Sequence, residues 1–400
     1  MRAALGALLL AVIAPAAAFG VRAVSAPPAA QPFYGCLKQG TLSQVRHTPV
    51  RCAEGYHNVQ WNSIGPKGKT GATGPAGAPG ADGSPISCIL MTLCAWGAKY
   101  SGGSYAFNAP AGVAYDGQHV WVTNSSGNSV TELNAVDGSW IRTLSGGSFG
   151  FDGPSAIAFD GTHLWVANTN GNSLTEINAA NGGWVQTFSG GSFAFSGPSG
   201  IAFDGTHVWV TNGVGNSVTE LNATTGNWTQ TLSGGSYGFT NPAGIAFDGT
   251  NLWVVNKASA SVTEFKASNG NWVQNLSGGS YKFNHPTDVA FDGAHLWVTN
   301  YNGNSVTEFT ASDGSWVKTF SATAYEFGHP TNIAFDGKHV WVTNNNQASA
   351  TELSASDGSL VRIVTGAAYG FVNPSGIAFD GTHLWVASTG NDLVTEIFAD

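Results

Sequence analysis

The stretch that decides the fold runs from Pro198 to Asn241 and reads PSGIAFDGTHVWVTNGVGNSVTELNATTGNWTQTLSGGSYGFTN. It opens with a short apolar run, Gly200 to Phe203, closed by Asp204-Gly205. Asp-Gly between two apolar runs is a tight-turn signal, because glycine accepts positive φ without a steric penalty. A second strand is predicted from His207 to Thr211 and a Gly-containing loop from Asn212 to Asn216. A third strand follows from Ser217 to Asn222, then a Thr-Thr-Gly turn and a fourth strand from Trp228 to Leu232. The segment Ser233 to Asn241 is read as a longer return loop. No part of the unit shows the three-to-four spacing of a buried helix face.

The unit repeats. A proline opens it at positions 110, 154, 198, 242, 286, 330 and 374, always 44 residues apart. Four antiparallel strands in a unit of that length mean a propeller blade or a solenoid turn. The ends decide between them. The last unit stops after its third strand at Asp400, while Trp96 to Ser101, ahead of the first proline, reads as an orphan fourth strand. Trp96 lies 44 residues before Trp140. The first strand is therefore expected to complete the last sheet, with Trp96 and Ile397 marking the junction, which removes an open edge. The predicted fold is all-β: a seven-bladed propeller over residues 94–400.

Two tryptophan positions recur. One is Trp121, Trp165, Trp209, Trp253, Trp297, Trp341 and Trp385; the other is Trp140, Trp184, Trp228, Trp272 and Trp316, with Leu360 as the exception. Both are expected to pack between blades. His119 and its equivalents (Asn251 in the fourth blade), Glu132 and its equivalents, and Asp116 and its equivalents also repeat. A group present in every blade forms a ring of like groups, whereas chemistry needs unlike groups converging on one point. Candidate functional residues are therefore the departures. The residue before the opening proline is His285 in blade five and His329 in blade six, and two places after it stand Asp288 and Asn332, where most blades have glycine. Two imidazoles and a carboxylate on neighbouring blades can hold a metal or a polar ligand. The sequence assigns no catalytic residue, no metal and no cofactor.

The front of the chain differs. Met1 to Ala18 has a short positive start, an apolar run and small residues at 16–18, the pattern of a signal peptide. The apolar run is too short to span a bilayer. Residues 19–32 read as a flexible linker, and 33–64 as a small unit containing Cys36 and Cys52. Residues 65–85 carry glycine at every third place, and 86–93 form a Cys-bounded connector that contains Cys88 and runs up to Cys94. Four cysteines in a secreted chain suggest disulfides, with Cys36–Cys52 and Cys88–Cys94 as the local pairings among three connectivities. Strict Gly-X-Y is the collagen signature; seven triplets serve either as a trimerising stalk, giving a homotrimer, or as a stiff linker. Net charge is −9 with 15 Lys and Arg in 400 residues, which argues against a nucleic-acid partner.

The junction Trp61-Asn62-Ser63-Ile64-Gly65-Pro66-Lys67-Gly68 resembles that of bacterial secreted collagen-like proteins. The blade pattern Pro-x-Gly-Ile-Ala-Phe-Asp-Gly-x-x-Leu-Trp-Val-x-Asn resembles NHL-type propellers, and is especially similar to the virginiamycin B lyase-like group. That resemblance implies a ring whose members include a magnesium-dependent lyase acting through His and Glu on one face. Those residues have no one-to-one match here, so the activity does not carry over. The expected role is binding rather than catalysis: a secreted scaffold meeting a protein, glycan or cell-wall component. The alternatives are a multivalent glycan-binding propeller and a metal-dependent lyase.

Overall fold

The structure is a computed structural model. It describes residues 97–321 and 323–399, together with three strands near the front of the chain. Those strands, Phe33–Lys38, Thr41–Arg46 and His57–Trp61, form one antiparallel sheet with Phe33–Lys38 in the middle. This unit and the propeller are separate compact units and are described separately. The segments expected to be a signal peptide and a linker, the Gly-X-Y run and the side chains of Cys36, Cys52, Cys88 and Cys94 lie outside the described residues.

Seven four-stranded antiparallel sheets follow. Their inner strands are Pro110–Tyr115, Pro154–Phe159, Pro198–Phe203, Pro242–Phe247, Pro286–Phe291, Pro330–Phe335 and Pro374–Phe379, which define blades one to seven. In blade three the later strands are His207–Asn212, Ser217–Asn222 and Trp228–Ser233, within a residue or two of the sequence reading. Gly205 at the first turn has φ 96°, the conformation that an Asp-Gly turn requires.

Closure occurs in the seventh sheet. Lys99–Ser101 pairs antiparallel with Leu393–Phe398, setting Tyr100 opposite Val394 and Lys99 opposite Thr395. The Glu396 amide donates to the Ala98 carbonyl at 2.8 Å, and the Tyr100 hydroxyl donates to Glu396 Oε2 at 2.6 Å. Ile397 is buried where blades six and seven meet, while Trp96 falls outside the described residues. Seven apolar clusters fill the seven gaps between blades, and the one joining Tyr100, Trp385 and Val394 to Phe107, Val120 and Leu133 bridges the two ends of the propeller chain. An open solenoid would leave that gap unfilled.

The first tryptophan series is fully buried in these clusters. The second is not. Trp140, Trp184, Trp228, Trp272 and Trp316 stand on the outermost strands, 42–46% exposed. The cause is local. Leu232 faces blade four, and simple alternation would turn Trp228 the same way. A bulge between them instead sets Trp228 opposite Leu221, which faces blade two. There the outer strand stands clear of its neighbour. Each of these indoles still donates within its own strand, as Trp228 Nε1 does to Thr231 Oγ1 at 3.0 Å.

Candidate ligand site at the rim of the central cavity

The repeated His, Asp and Glu positions form one network per blade. In blade three Asp204 Oδ1 accepts from the amides of Thr206 and His207, at 2.8 and 2.7 Å. Its Oδ2 accepts from Trp209 Nε1 at 2.8 Å. The turn carboxylate thus fixes the buried indole. His207 bridges Asp204 and Glu220, with Nδ1 3.2 Å from Asp204 Oδ2 and Nε2 3.5 Å from Glu220 Oε1. Burial raises the Glu220 carboxyl above its usual range. In blade four Asn251 replaces the histidine, and its Nδ2 donates to Glu264 Oε1 at 2.7 Å. An amide that neither titrates nor serves as a good metal ligand does the same job, so the network is architectural. Asp336, His339 and Glu352 in blade six bring three ligand-type atoms within 4.8 Å. Arg362 Nε already sits 2.5 Å from Glu352 Oε2, a poor neighbour for a cation.

The other end of each blade is different. The inner strands enter the ring at their prolines and line a central cavity of about 360 Å³. In blades three, five, six and seven the hydroxyl one place after the proline ties the blade to the next. Ser199 donates to the Pro242 carbonyl at 3.0 Å, Thr287 to Pro330 at 3.1 Å, and Ser375 to Pro110 at 3.2 Å across the closure. Two places after the proline glycine is needed where blades crowd, since a Cβ on Gly200 would lie 2.3 Å from the Ala243 carbonyl. Most of the wall is therefore Gly, Ala, Ser, Val and Ile.

Blades four to six break this pattern. Asp288 replaces the glycine in blade five, and its carboxylate staples two blades. Oδ1 accepts from its neighbour Val289 N at 2.9 Å; Oδ2 accepts from Ile333 N at 3.1 Å and Asn332 Nδ2 at 3.3 Å in blade six. Burial nevertheless pushes the Asp288 carboxyl up to about 6, against the pull of these bonds and of Lys257. Gly244 in blade four leaves it space, because a Cβ there would lie 2.4 Å from Asp288 Oδ1. Lys257, just after the second strand of blade four, also lines the cavity. Burial lowers its ammonium below the usual lysine range, and Asp288 only partly offsets this.

His285 and His329 occupy the place before the proline with φ 53° and 50°. All seven residues at that place are left-handed, so part of the demand is conformational, and histidine meets it more readily than most side chains. Between the two rings stands Tyr301. It stacks on His329 at 4.4 Å and meets His285 tilted at 5.9 Å. The His285 imidazole is pushed down by burial and by the nearby Lys257 charge.

The structure thus brings Asp288 and Asn332 into direct contact and joins His285 to His329 through Tyr301. It does not gather His285, His329 and Asp288 around one point, as a shared metal would require. The rim also fails as a magnesium site. A hard cation wants several oxygen ligands, whereas the carboxylate here already accepts three N–H groups beside an ammonium. Lys257 and Tyr301 escaped the sequence reading. They share a column with Ser125, Thr169, Gly213, Asn345 and Thr389, where a lysine and a tyrosine stand out once the column is read for departures.

With that geometry in place, solved structures show where this fold occurs. The propeller has the fold of the streptogramin B lyases. Streptogramin B lyase superposes with TM-score 0.63 at 16% identity, over 77% of this chain and 99% of that one. A catalytically inactive virginiamycin B lyase from Staphylococcus aureus, solved with quinupristin, gives TM-score 0.63 at 18% identity, over 76% and 99%. Kuenenia stuttgartiensis hydrazine synthase gives 0.61 at 19%, over 74% and 97%. No protein-family model matches the chain, and no curated protein does. A lyase and a hydrazine synthase share this ring, so the ring alone assigns no chemistry.

Proposed function

We propose that this chain is a secreted binding protein whose propeller takes a small polar ligand at the proline-end rim of blades four to six. The supporting observation is the asymmetry of one cavity. Lys257, Asp288 and Asn332 interrupt, on three adjacent blades, a wall otherwise built from small residues, and the rings of His285, Tyr301 and His329 meet one another on blades five and six. Signal-type residues 1–18 suit secretion, and the Gly-X-Y run 65–85 suits display as a trimer, which would multiply weak contacts through effective concentration. The lyase reading is weaker, because the rim offers no magnesium donor set.

The test is a screen of glycans, peptidoglycan fragments and small metabolites against the full chain, with hydrogen exchange on every binder. Protection at 257, 285–289, 301 and 329–333 supports the rim. Protection confined to the Asp-Gly-turn ends of the blades refutes it. Such a result would favour the multivalent glycan reading, for which one observation speaks. Clefts of 310–570 Å³ recur between neighbouring blades at those turns, for example beside His119 and Thr162 and beside His295 and Lys338. Several ligands bound per propeller would identify that case.

A further inference from the structure

The rim of blades four to six concentrates donors that have no protein acceptor among the described residues. The Lys257 ammonium, the His285 and His329 imidazoles and the Tyr301 hydroxyl make no side-chain hydrogen bond or ion pair to another protein group among the described residues. They are close enough to act together. Tyr301 stacks on His329 and meets His285 tilted. Lys257 holds in blade four the place that Tyr301 holds in blade five, its amide donating to the Asn241 carbonyl as that of Tyr301 does to His285, so the repeat sets it beside His285 as Tyr301 is set beside His329. Asp288 is the carboxylate within electrostatic reach, but its oxygens already accept from Val289, Ile333 and Asn332 and it makes no ion pair with Lys257. A half-buried cation without a counter-ion is costly to maintain, and it stands here in a chain of net charge −9.

We propose that Lys257, His285, Tyr301 and His329 form an anion site that takes the carboxylate or phosphate group of a small solute entering the central cavity. This rests on the rim being the ligand site, and it names the ligand's class. An ammonium supplies up to three N–H donors and imidazolium two, and both strengthen when the acceptor is ionised. The rest of the cavity wall, rich in Ser and Thr hydroxyls already bonded to backbone carbonyls, adds no competing charge apart from Asp288.

Histidine side-chain NMR on the full chain tests this, with four probes: glucuronate, inorganic phosphate, neutral glucose and cationic glucosamine. His285 meets Tyr301, which stacks on His329, and the charged group near it is Lys257. An anion among them should shift the His285 and His329 resonances and raise the His285 pKa by about 1 unit. Lys257→Met should weaken that binding roughly tenfold or more. Its fold is safe, since the equivalent positions carry Ser, Thr, Gly, Tyr and Asn; an unchanged melting temperature verifies this. His285→Asn, the residue that blades four and seven carry there, should remove the remaining response. A response to glucuronate alone assigns a carboxylate, and one to phosphate alone a phosphate. Equal responses to glucose and glucuronate would overturn the anion site while leaving the rim as a ligand site. Silence of both histidines toward both acids would overturn the anion site too, and the rim would then be judged by the screen alone.

Discussion

The two ends of each blade have opposite relations to the repeat. At the Asp-Gly end, blade after blade builds the same bridge from turn carboxylate to indole to His–Glu pair, with an asparagine standing in once. At the proline end the backbone plan is equally regular, down to the left-handed residue before each proline. The side chains there diverge, and on three neighbouring blades they diverge toward charge and aromaticity. The lesson is that repetition here marks what seven sheets need in order to pack, and departure marks what one ligand would need to be recognised. Both ends carry histidine and carboxylate, so residue type alone would not separate them.

The sharpest test of the first half of that contrast is the pair of tryptophans in blade three. Trp209→Ala empties a fully buried position and should cost about 3–5 kcal/mol of stability. Trp228→Ala on the exposed outer strand should cost under about 1 kcal/mol. Denaturant titration of both variants measures this, and equal costs would break the distinction between packing and display.

Next in size is the pH response of Asp288. Its folded carboxyl sits at about 6 against an ordinary 3.8, so folding favours the protonated form. That stability is fully present below the ordinary value and is lost as pH rises through about 6, a change on the order of 2–3 kcal/mol. The buried glutamates shift in the same direction, so the useful quantity is the difference from Asp288→Asn, which should lack this component. Unfolding midpoints between pH 4 and pH 7 give it. A wild-type minus variant difference that stays constant across that window would show that the carboxyl is not held up by burial.

The smallest expected effect is on folding at the rim. His285→Asn and His329→Asn place in blades five and six the residue that Asn241 and Asn373 already supply with φ 51°. Thermal melts should move by no more than the shift that about 0.5 kcal/mol produces. A large loss would mean that the histidines serve packing.

Much of this was legible in the sequence because 44-residue spacing and Asp-Gly turns locate strands directly. The closure was legible from a fourth strand standing ahead of the first proline. His285, Asp288, His329 and Asn332 were found by reading columns for exceptions. The exposed Trp228 series was misread because a fixed period gives a position in the blade and not a face of the sheet, and the bulge before Gln230 changes the face. Lys257 was missed for a related reason. Its chain position lies 31 residues from Asp288, and only the stacking of blade four on blade five brings both to one cavity.

The central claim is tested most directly by making the rim symmetric. A chain carrying Lys257→Thr, His285→Asn, Asp288→Gly, Tyr301→Thr, His329→Asn and Asn332→Gly gives blades four to six the side chains their neighbours already use. Binding of glucuronate, phosphate and every ligand from the screen is then measured beside the original chain, with the melting temperature of each. The expected result is a propeller that still melts cooperatively and binds none of them. Binding retained at its original strength by the folded symmetric ring would contradict the account.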